Sequence, residues 1–132
     1  MIRAVLADAG PLYAAVDEGD KHHRDALREL DALSRERRTV IVPYPILLEA
    51  YSLILYRLGI VAARKWIELL TDASFMNPGP EDYRRALMTV RNFPDQRISL
   101  YDATLAALAL RLGLEVWTYD HHFDVMRVPV WR

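Results

Sequence analysis

Short apolar runs alternate along the chain with longer stretches in which apolar residues recur at helical spacing. The short runs predict strands at Ile2–Ala7, Thr39–Val42, Ser74–Met76 and Glu115–Thr118, with a fifth candidate at Val128–Trp131. The helical stretches start with a segment opened by Gly10-Pro11 and continue at Lys21–Arg38, Pro45–Leu58, Ile60–Thr71, Glu81–Asn92 and Ser99–Leu112. Strands that alternate with helices predict an α/β fold, in which a central, mostly parallel sheet of four to five strands has helices on both faces.

Several helix ends carry their own sequence signals. Ser99 precedes an apolar helical stretch and is a typical N-cap residue. Gly59 and Gly113 follow the last helical positions of their stretches, where glycine favours a C-cap. Pro11 stands early in the first helix, where the missing N–H costs nothing. These signals predict where three of the helices begin or end.

Composition narrows the class of protein. The 132 residues fit one domain covering residues 1–132, long enough to bury a core without covalent staples. The chain has no cysteine, which excludes a disulfide scaffold, a thiolate zinc site and a cysteine nucleophile. A net charge of −1 argues against nucleic-acid binding by bulk positive charge. No apolar run has the ~20 residues of a membrane span, and the N-terminal run is too short for a signal peptide, so we expect a soluble, cytoplasmic protein with no membrane partner.

Four acidic residues lie within apolar sequence, where a buried, unpaired carboxylate is costly. Asp8 stands at the end of the first predicted strand, and Asp120 follows the predicted strand Glu115–Thr118. Open α/β sheets bind their ligands at such strand ends. Asp102 lies in the first turn of its helix, where the helix dipole favours an anion. Glu49 lies among large apolar residues in the first half of its helix, so it can point to the same edge of the sheet.

Carboxylates that converge without a nearby lysine or arginine need a divalent cation to neutralise them. Oxygen ligands select hard ions, so the sequence predicts Mg²⁺ or Mn²⁺ rather than zinc. Such a site supports attack of water on a phosphodiester with the help of one or two metal ions.

Each of these acids also has a purely structural alternative. Asp8 and Asp102 could each cap a helix, and Asp120 could shape a turn. Glu49 has no capping role, and its alternative is a salt bridge with an arginine. Candidate partners are Arg57 and Arg97.

Four stretches in chain order have a familiar spacing. They are Leu6–Ala14 with Asp20–His23, Pro45–Glu49, Ser99–Gly113 and Thr118–Phe123. The set resembles the PIN domain family, and within it the VapC-type toxins of toxin–antitoxin pairs; the last stretch matches that family's Thr-x-Asp-x-x-Phe pattern. The resemblance covers nearly the whole chain. One departure is Ala9, which stands where the family often has Thr or Ser after the first Asp.

The resemblance implies a PIN-like three-layer α/β/α fold and a hydrolase, an endoribonuclease that cleaves RNA with Mg²⁺ or Mn²⁺. Carried over from the family, Asp8 and Asp102 are the main metal ligands. Glu49 and Asp120 complete the cluster and orient the metal-bound water. The family also implies a homodimer and a cognate antitoxin.

Further residues near these motifs have a less specific signal. By the same resemblance, Thr118 offers a hydroxyl that fixes a carboxylate of the cluster. Asp124 is a candidate fifth acid, although a turn or surface position is the more typical role for it. The histidine pairs at 22–23 and 121–122 are typical of surface or turn positions, because adjacent residues on a helix diverge by ~100°.

Other function classes fit the sequence less well. The main alternative is a catalytically inactive PIN-like binding or scaffold module, which the retention of all four acids disfavours. A receiver-type phospho-acceptor needs an acidic pair after the first strand and a late lysine, whereas Ala9-Gly10 follows Asp8 and no lysine follows Lys65. A haloacid-dehalogenase-type phosphatase needs Asp-x-Asp, and Gly10 occupies the second Asp position.

Overall fold

The computed structural model describes residues 3–71 and 73–132. Its elements in chain order are β1 (Ala4–Ala7), α1 (Ala9–Ala14), α2 (His23–Arg35), β2 (Thr39–Pro43), α3 (Tyr44–Leu58), α4 (Ile60–Leu69), β3 (Ser74–Met76), α5 (Pro80–Asn92), α6 (Leu100–Leu112), β4 (Glu115–Trp117) and α7 (His122–Val125). Ile2, where we predict the first strand to begin, lies outside the described residues. In the described part of the chain, no helix is long and apolar enough to cross a membrane.

Four parallel strands form one sheet in the order β3-β2-β1-β4. The central strand β1 is buried along its whole length, and Leu6 pairs in register with Ile41 of β2 and Val116 of β4. The predicted α/β/α architecture with a parallel sheet of four strands is confirmed. Because parallel strands end at the same edge of a sheet, the residues that follow β1 and β4 come together there.

The core combines β1 and β4 with apolar faces of the surrounding helices. The largest fully buried apolar side chains are Leu6, Leu33, Ile46, Ile54, Leu105, Leu108, Trp117 and Phe123. Helix α6 is buried at every residue from Asp102 to Ala109, so it packs on several sides rather than along one stripe. Because α6 packs at the centre of the molecule, its first turn, which carries Asp102, lies at the edge of the sheet where the strands end.

The helix ends predicted from Ser99, Gly113 and Gly59 are confirmed. The hydroxyl of Ser99 accepts a hydrogen bond from the backbone N–H of Asp102 at 3.0 Å and so caps α6. Gly113 ends α6 in the left-handed region with φ of +67°. Gly59 has φ of +96° and joins α3 to α4 without a loop, and a side chain there would be strained.

The structure differs from the sequence prediction near both chain ends. The predicted last strand at Val128–Trp131 is a single bridge, in which Val116 pairs with Val130. Pro129 lacks an N–H and accepts from Val116 only, so a longer ladder does not form. The short helix α7 is absent from the sequence prediction. Helix α2 is shorter than predicted and ends before Arg37, which has φ of +57°.

Helices α5 and α6 are joined by a buried ion pair. Asp82 is 1% exposed, and its two carboxylate oxygens accept from the Arg111 guanidinium at 2.9 and 2.8 Å. Oδ2 also accepts from the backbone N–H of Gly79 at 2.8 Å, which closes the start of α5. The hydrogen bonds from Arg111 hold the pKa of Asp82 below its usual range. The pair therefore fixes α6, the helix that carries Asp102, against α5.

Replacing Arg111 should destabilise the protein more than replacing a surface arginine. We expect Arg111→Met to lower the free energy of unfolding by about 1–3 kcal/mol, because it takes both guanidinium donors from the buried Asp82 carboxylate and leaves it only the Gly79 N–H. Arg84→Met is the control, since Arg84 forms an exposed pair with Glu81 and should cost less than about 1 kcal/mol. Urea unfolding of both variants measures the difference. Equal midpoints would contradict a holding role for the Asp82–Arg111 pair.

Candidate functional site

An open cleft of about 600 Å³ lies where the parallel strands end, and all four predicted acids line it. Asp8 follows β1, Asp120 comes soon after β4, Glu49 comes from α3 and Asp102 from the first turn of α6. A fifth acid, Asp20, also lines it, although it is not among the site residues predicted from the sequence. Other lining side chains include Tyr13, His22, Leu53, Arg57, Ser99, Tyr119 and His121. The fold therefore brings together residues that are 112 positions apart at the extremes, from 8 to 120.

Asp8 is a cap and a cleft residue at once. Its Oδ1 accepts from the backbone N–H of Ala9 at 2.8 Å and so caps α1, as the structural alternative predicts. Its Oδ2 accepts from the Thr118 hydroxyl at 2.7 Å. Asp8 is only 5% exposed, and burial raises the pKa of its carboxyl despite these two hydrogen bonds. The carboxylate is thus held rigidly at the floor of the cleft, without a positive partner.

Thr118 connects the two strand ends. Besides donating to Asp8, its hydroxyl oxygen accepts from the backbone N–H of Asp120 at 3.0 Å. The Asp8 backbone N–H in turn donates to the Trp117 carbonyl at 3.0 Å, which extends the pairing of β1 with β4. These contacts are those expected of a hydroxyl that orients a neighbouring carboxylate.

Glu49 lacks every partner that a structural role would provide. Its Oε1 is buried and has no hydrogen-bond partner among the described residues. It forms no salt bridge with Arg57 or Arg97, so that alternative is not what the structure shows. Burial, together with the charges of Asp8 and Asp120, raises the pKa of Glu49 to about 7.

Asp102 and Asp120 behave as a pair. Asp102 is 8% exposed, and its helix is capped by Ser99, so Asp102 does not cap it. Burial, the charge of Asp8 and the Asp120 carboxylate raise the pKa of Asp102. Burial alone would raise the pKa of Asp120 too, but the His122 N–H and the Asp102 carboxyl together lower it. Without a cation the two carboxyls therefore titrate as a pair, with the pKa of Asp102 raised and that of Asp120 lowered.

Asp120 also shapes the turn before α7. Its Oδ1 accepts from the backbone N–H of His122 at 2.8 Å, and the His122 Nδ1 lies 2.9 Å from the same oxygen without forming a hydrogen bond. The alternative of a turn-shaping role is thus correct for one oxygen of this carboxylate, while the side chain still lines the cleft.

The donor set fits a hard divalent cation. Three carboxylates, those of Asp8, Glu49 and Asp102, have no arginine or lysine within 4.0 Å in the described chain, and one of their buried oxygens has no donor at all. A cation would satisfy that oxygen and remove the mutual repulsion that raises these pKa values. No three of the four carboxylates lie within 4.8 Å of one another in the described residues, so bridging waters would complete the coordination, as is usual for Mg²⁺.

Two histidines that follow β4 lie beside Asp120. The ligand atoms of Asp120, His121 and His122 lie within 4.8 Å of one another. His121 is exposed, and its ring lies 4.2 Å from that of His122. Asp124, the candidate fifth acid, does not line the cleft; it is exposed and forms an ion pair with Arg132 at 3.1 Å.

Several cleft residues have no strong sequence signal. Tyr119 donates its hydroxyl to Glu29 at 2.6 Å and stacks on His22 with ring centroids 4.3 Å apart. Arg57 covers the ring of Tyr13 at 5.1 Å. Glu29 stands among polar residues of α2, and Arg57 is the basic residue in the last turn of the apolar helix α3. Both look like ordinary surface positions in the sequence, and only the tertiary fold distinguishes them.

The fold and the site together define a class of protein: an α/β domain with an acidic cleft at the carboxyl edge of a parallel sheet. The model of the PIN domain family matches residues 5–129, and the chain belongs to this family. The predicted family is thereby confirmed. No curated protein sequence matches the chain closely enough to count as a relative.

Solved structures of the same fold come from toxin–antitoxin systems. VapC20 of Mycobacterium tuberculosis, described as a sarcin-ricin loop cleaving toxin, has a TM-score of 0.83 over 97% of this chain and 98% of that one, at 22% identity. VapBC2 of Rickettsia felis, bound to a DNA fragment from its promoter, has 0.75 over 98% and 97%, at 12% identity. FitAcB of Neisseria gonorrhoeae has 0.69 over 97% and 96%, at 18% identity. At these identities the likeness is one of fold.

Stability without metal should fall as the pH rises. Glu49 has a pKa of about 7 in the fold against an ordinary 4.5, so the folded state binds more protons than the unfolded state between these values. Its contribution is therefore complete below about pH 4.5 and is lost as the pH passes about 7. Thermal unfolding in EDTA across this range should show a steeper fall for the wild type than for Glu49→Gln. Identical slopes would contradict the shifted pKa.

Proposed function

We propose that this protein is an endoribonuclease that hydrolyses RNA phosphodiester bonds with Mg²⁺ or Mn²⁺. The observation that carries the proposal is a set of four carboxylates in one cleft of a PIN domain, three of them without a cationic partner. Oxygen ligands favour Mg²⁺ or Mn²⁺, and a cation of this kind suits a phosphate substrate. RNA as the substrate is supported by VapC20, which has the same fold and is described as cleaving the sarcin-ricin loop.

In the mechanism that follows, Asp8 and Asp102 would hold the metal, and Glu49 and Asp120 would complete its surroundings. The bound metal would supply polarisation of the phosphate and would make a water molecule easier to deprotonate. Thr118 keeps the Asp8 carboxylate in one orientation through its 2.7 Å hydrogen bond. Because both carboxylates must be ionised to act as ligands, the raised pKa of Asp102 means that metal binding would release a proton from this pair.

Glu49 is placed to orient the attacking water. Its buried Oε1 accepts no hydrogen bond from the described protein, so it has capacity to accept one from a water molecule in the cleft. A carboxylate with a pKa near neutrality is also suited to accept a proton at Oε1 during the attack.

We also propose that the protein is the toxin of a toxin–antitoxin pair, with a cognate antitoxin and a second copy of itself as partners. The structures that share its fold support this, among them a toxin-antitoxin complex from Klebsiella pneumoniae with a TM-score of 0.66. A second cavity of about 720 Å³ adjoins the acidic cleft at Ser99 and is almost wholly apolar. Exposed Leu48, Leu87 and Leu100 line it, and such a surface is typical of contact with another protein.

An inactive scaffold module is the second candidate, because a protein-binding surface alone would also account for the apolar cavity. The two candidates differ in the acidic cleft, which a scaffold does not need.

Removing one carboxylate of the cleft should abolish cleavage. We expect Asp8→Asn or Asp102→Asn to lower the cleavage rate by more than about 100-fold, beyond the usual effect of residues that only orient a metal ligand. The folded state should survive in EDTA, because carboxylate repulsion is relieved. Gel assays on structured and unstructured RNA with Mn²⁺, Mg²⁺ or EDTA measure the effect.

Asp31→Asn is the matched control, since Asp31 is exposed on α2 and pairs only with Arg35. Cleavage by Asp102→Asn at the wild-type rate would contradict the site. Metal binding by the wild type without any RNA cleavage would favour the scaffold.

Thr118 should matter through its hydroxyl rather than its shape. We expect Thr118→Val to weaken Mn²⁺ binding and cleavage by about 10- to 100-fold, because Asp8 and the Asp120 N–H lose a shared partner. Thr118→Ser keeps the hydroxyl and should stay close to the wild type. Calorimetric titration with Mn²⁺ gives the affinity directly. A Val variant that binds Mn²⁺ as tightly as the Ser variant would refute the orienting role.

A further inference from the structure

Arg57 is the one permanently charged cation in the lining of the acidic cleft, within the described residues. Glu49, Leu53 and Arg57 follow each other at four-residue intervals on α3, and all three line the cleft. Eight residues of helix correspond to about 12 Å along the axis, so Arg57 stands two turns away from the carboxylate Glu49. The cleft therefore has an acidic floor and a basic position further along the same wall.

No carboxylate neutralises Arg57. None of the ion pairs within 4.0 Å in the described chain includes it, although Asp17 lies in the same neighbourhood. Six of the other fourteen arginines, Arg38 and Arg111 among them, have an acidic partner within 4.0 Å in the described chain. Beyond its contact with Tyr13, the guanidinium thus has donors that no carboxylate occupies.

The guanidinium is nevertheless held in place. Its carbon lies 5.1 Å from the centroid of the Tyr13 ring, which is a favourable cation–π distance. Tyr13 is buried, and its hydroxyl donates to Asp17 at 2.6 Å, so the ring itself is fixed. A fixed arginine with unused donors loses little conformational freedom when it binds, and its planar fork matches the oxygens of a phosphate.

Because the protein as a whole carries almost no net charge, binding of a polyanionic substrate requires a local cation in the cleft. With a net charge of −1, no bulk positive field attracts RNA, and the cleft floor is acidic. A metal ion bound at the floor of the cleft would neutralise only the charge of the phosphate that is cleaved. The neighbouring phosphates of the strand require local cations along the cleft.

From these observations we infer that Arg57 binds a backbone phosphate of the RNA next to the cleaved bond and so sets the path of the strand through the cleft. The ligand is a phosphodiester of the RNA backbone, bound through the guanidinium fork. The inference rests on the proposed ribonuclease function, and it adds a binding position outside the metal site.

Binding measurements on an RNA oligonucleotide test the inference. Anisotropy titrations in the Asp102→Asn background, which prevents cleavage, are run over a range of salt concentrations. We expect Arg57→Gln to weaken binding about tenfold or more, in keeping with the loss of hydrogen bonds to a charged group. The slope of log K against log salt should become shallower by about 0.7, the value for one lost contact with a single strand.

Arg64→Gln is the matched control, because Arg64 is an exposed arginine on α4 that neither lines the cleft nor forms an ion pair in the described chain. Its affinity and salt slope should equal those of the unmodified background. With Asp102 intact, Arg57→Gln should leave the Mn²⁺-induced rise of the thermal midpoint unchanged, and the midpoint itself should fall by no more than the loss of one exposed cation–π contact predicts. Weaker binding with an unchanged salt slope would show that Arg57 only packs on Tyr13, and would overturn the inference.

Neutral methylphosphonate linkages, placed one at a time along the oligonucleotide, locate the contact. In the protein with Arg57, one substitution beside the cleaved bond should reduce affinity, and in Arg57→Gln the same substitution should have no further effect. Equal losses in both proteins at every position would overturn the inference while leaving the ribonuclease proposal intact. A wild-type protein that neither cleaves nor binds RNA would instead overturn the proposed function.

Discussion

The molecule is organised around carboxylates that are buried at one edge of a sheet without positive partners. Parallel pairing of β1 with β4 brings Asp8 and Asp120 to the same edge, and the 2.7 Å hydrogen bond from Thr118 holds Asp8 there. Burial and mutual repulsion raise the pKa values of Asp8, Glu49 and Asp102. In the absence of metal, these carboxylates therefore lower the free energy of unfolding, and a divalent cation would offset this loss. The same buried carboxylates thus destabilise the metal-free fold and form the candidate metal site. The rest of the fold is arranged to withstand that cost.

The packing around α6 shows how. Asp102 stands at the start of a helix that is buried at eight successive residues and capped by Ser99. At its other end Arg111 binds the buried Asp82 of α5. Specific polar contacts thus fix both ends of the helix. The unfavourable electrostatic energy of the buried Asp102 is therefore opposed by the packing of the whole helix rather than by local contacts alone.

The sequence predicted the four acids of the cleft because each breaks an apolar run, and strand ends and helix starts meet at one edge of a parallel sheet. Glu49 was the clearest, since it stands among large apolar residues without a capping role. The sequence could not show that Arg57 lacks an acidic partner, because that depends on which helices pack together. The predicted strand at Val128–Trp131 was reduced to one bridge by Pro129, which cannot donate to a ladder. Asp124 is an acidic residue close to the last motif and therefore looked like a site residue in the sequence, but it forms an ion pair with Arg132 at the surface.

The contact of Glu29 with the end of β4 has a consequence for how the protein is made. Its Oε1 accepts from the Trp117 indole at 3.0 Å and from the Tyr119 hydroxyl at 2.6 Å, on both sides of Thr118. These contacts span 88 and 90 residues of sequence, and the Thr118–Asp8 bond spans 110. Contacts between such distant positions cannot form before the chain has been synthesised as far as the second partner. During synthesis, a growing chain that has not yet reached β4 has no complete cleft, so a nuclease of this design stays inert until translation of the domain is almost finished.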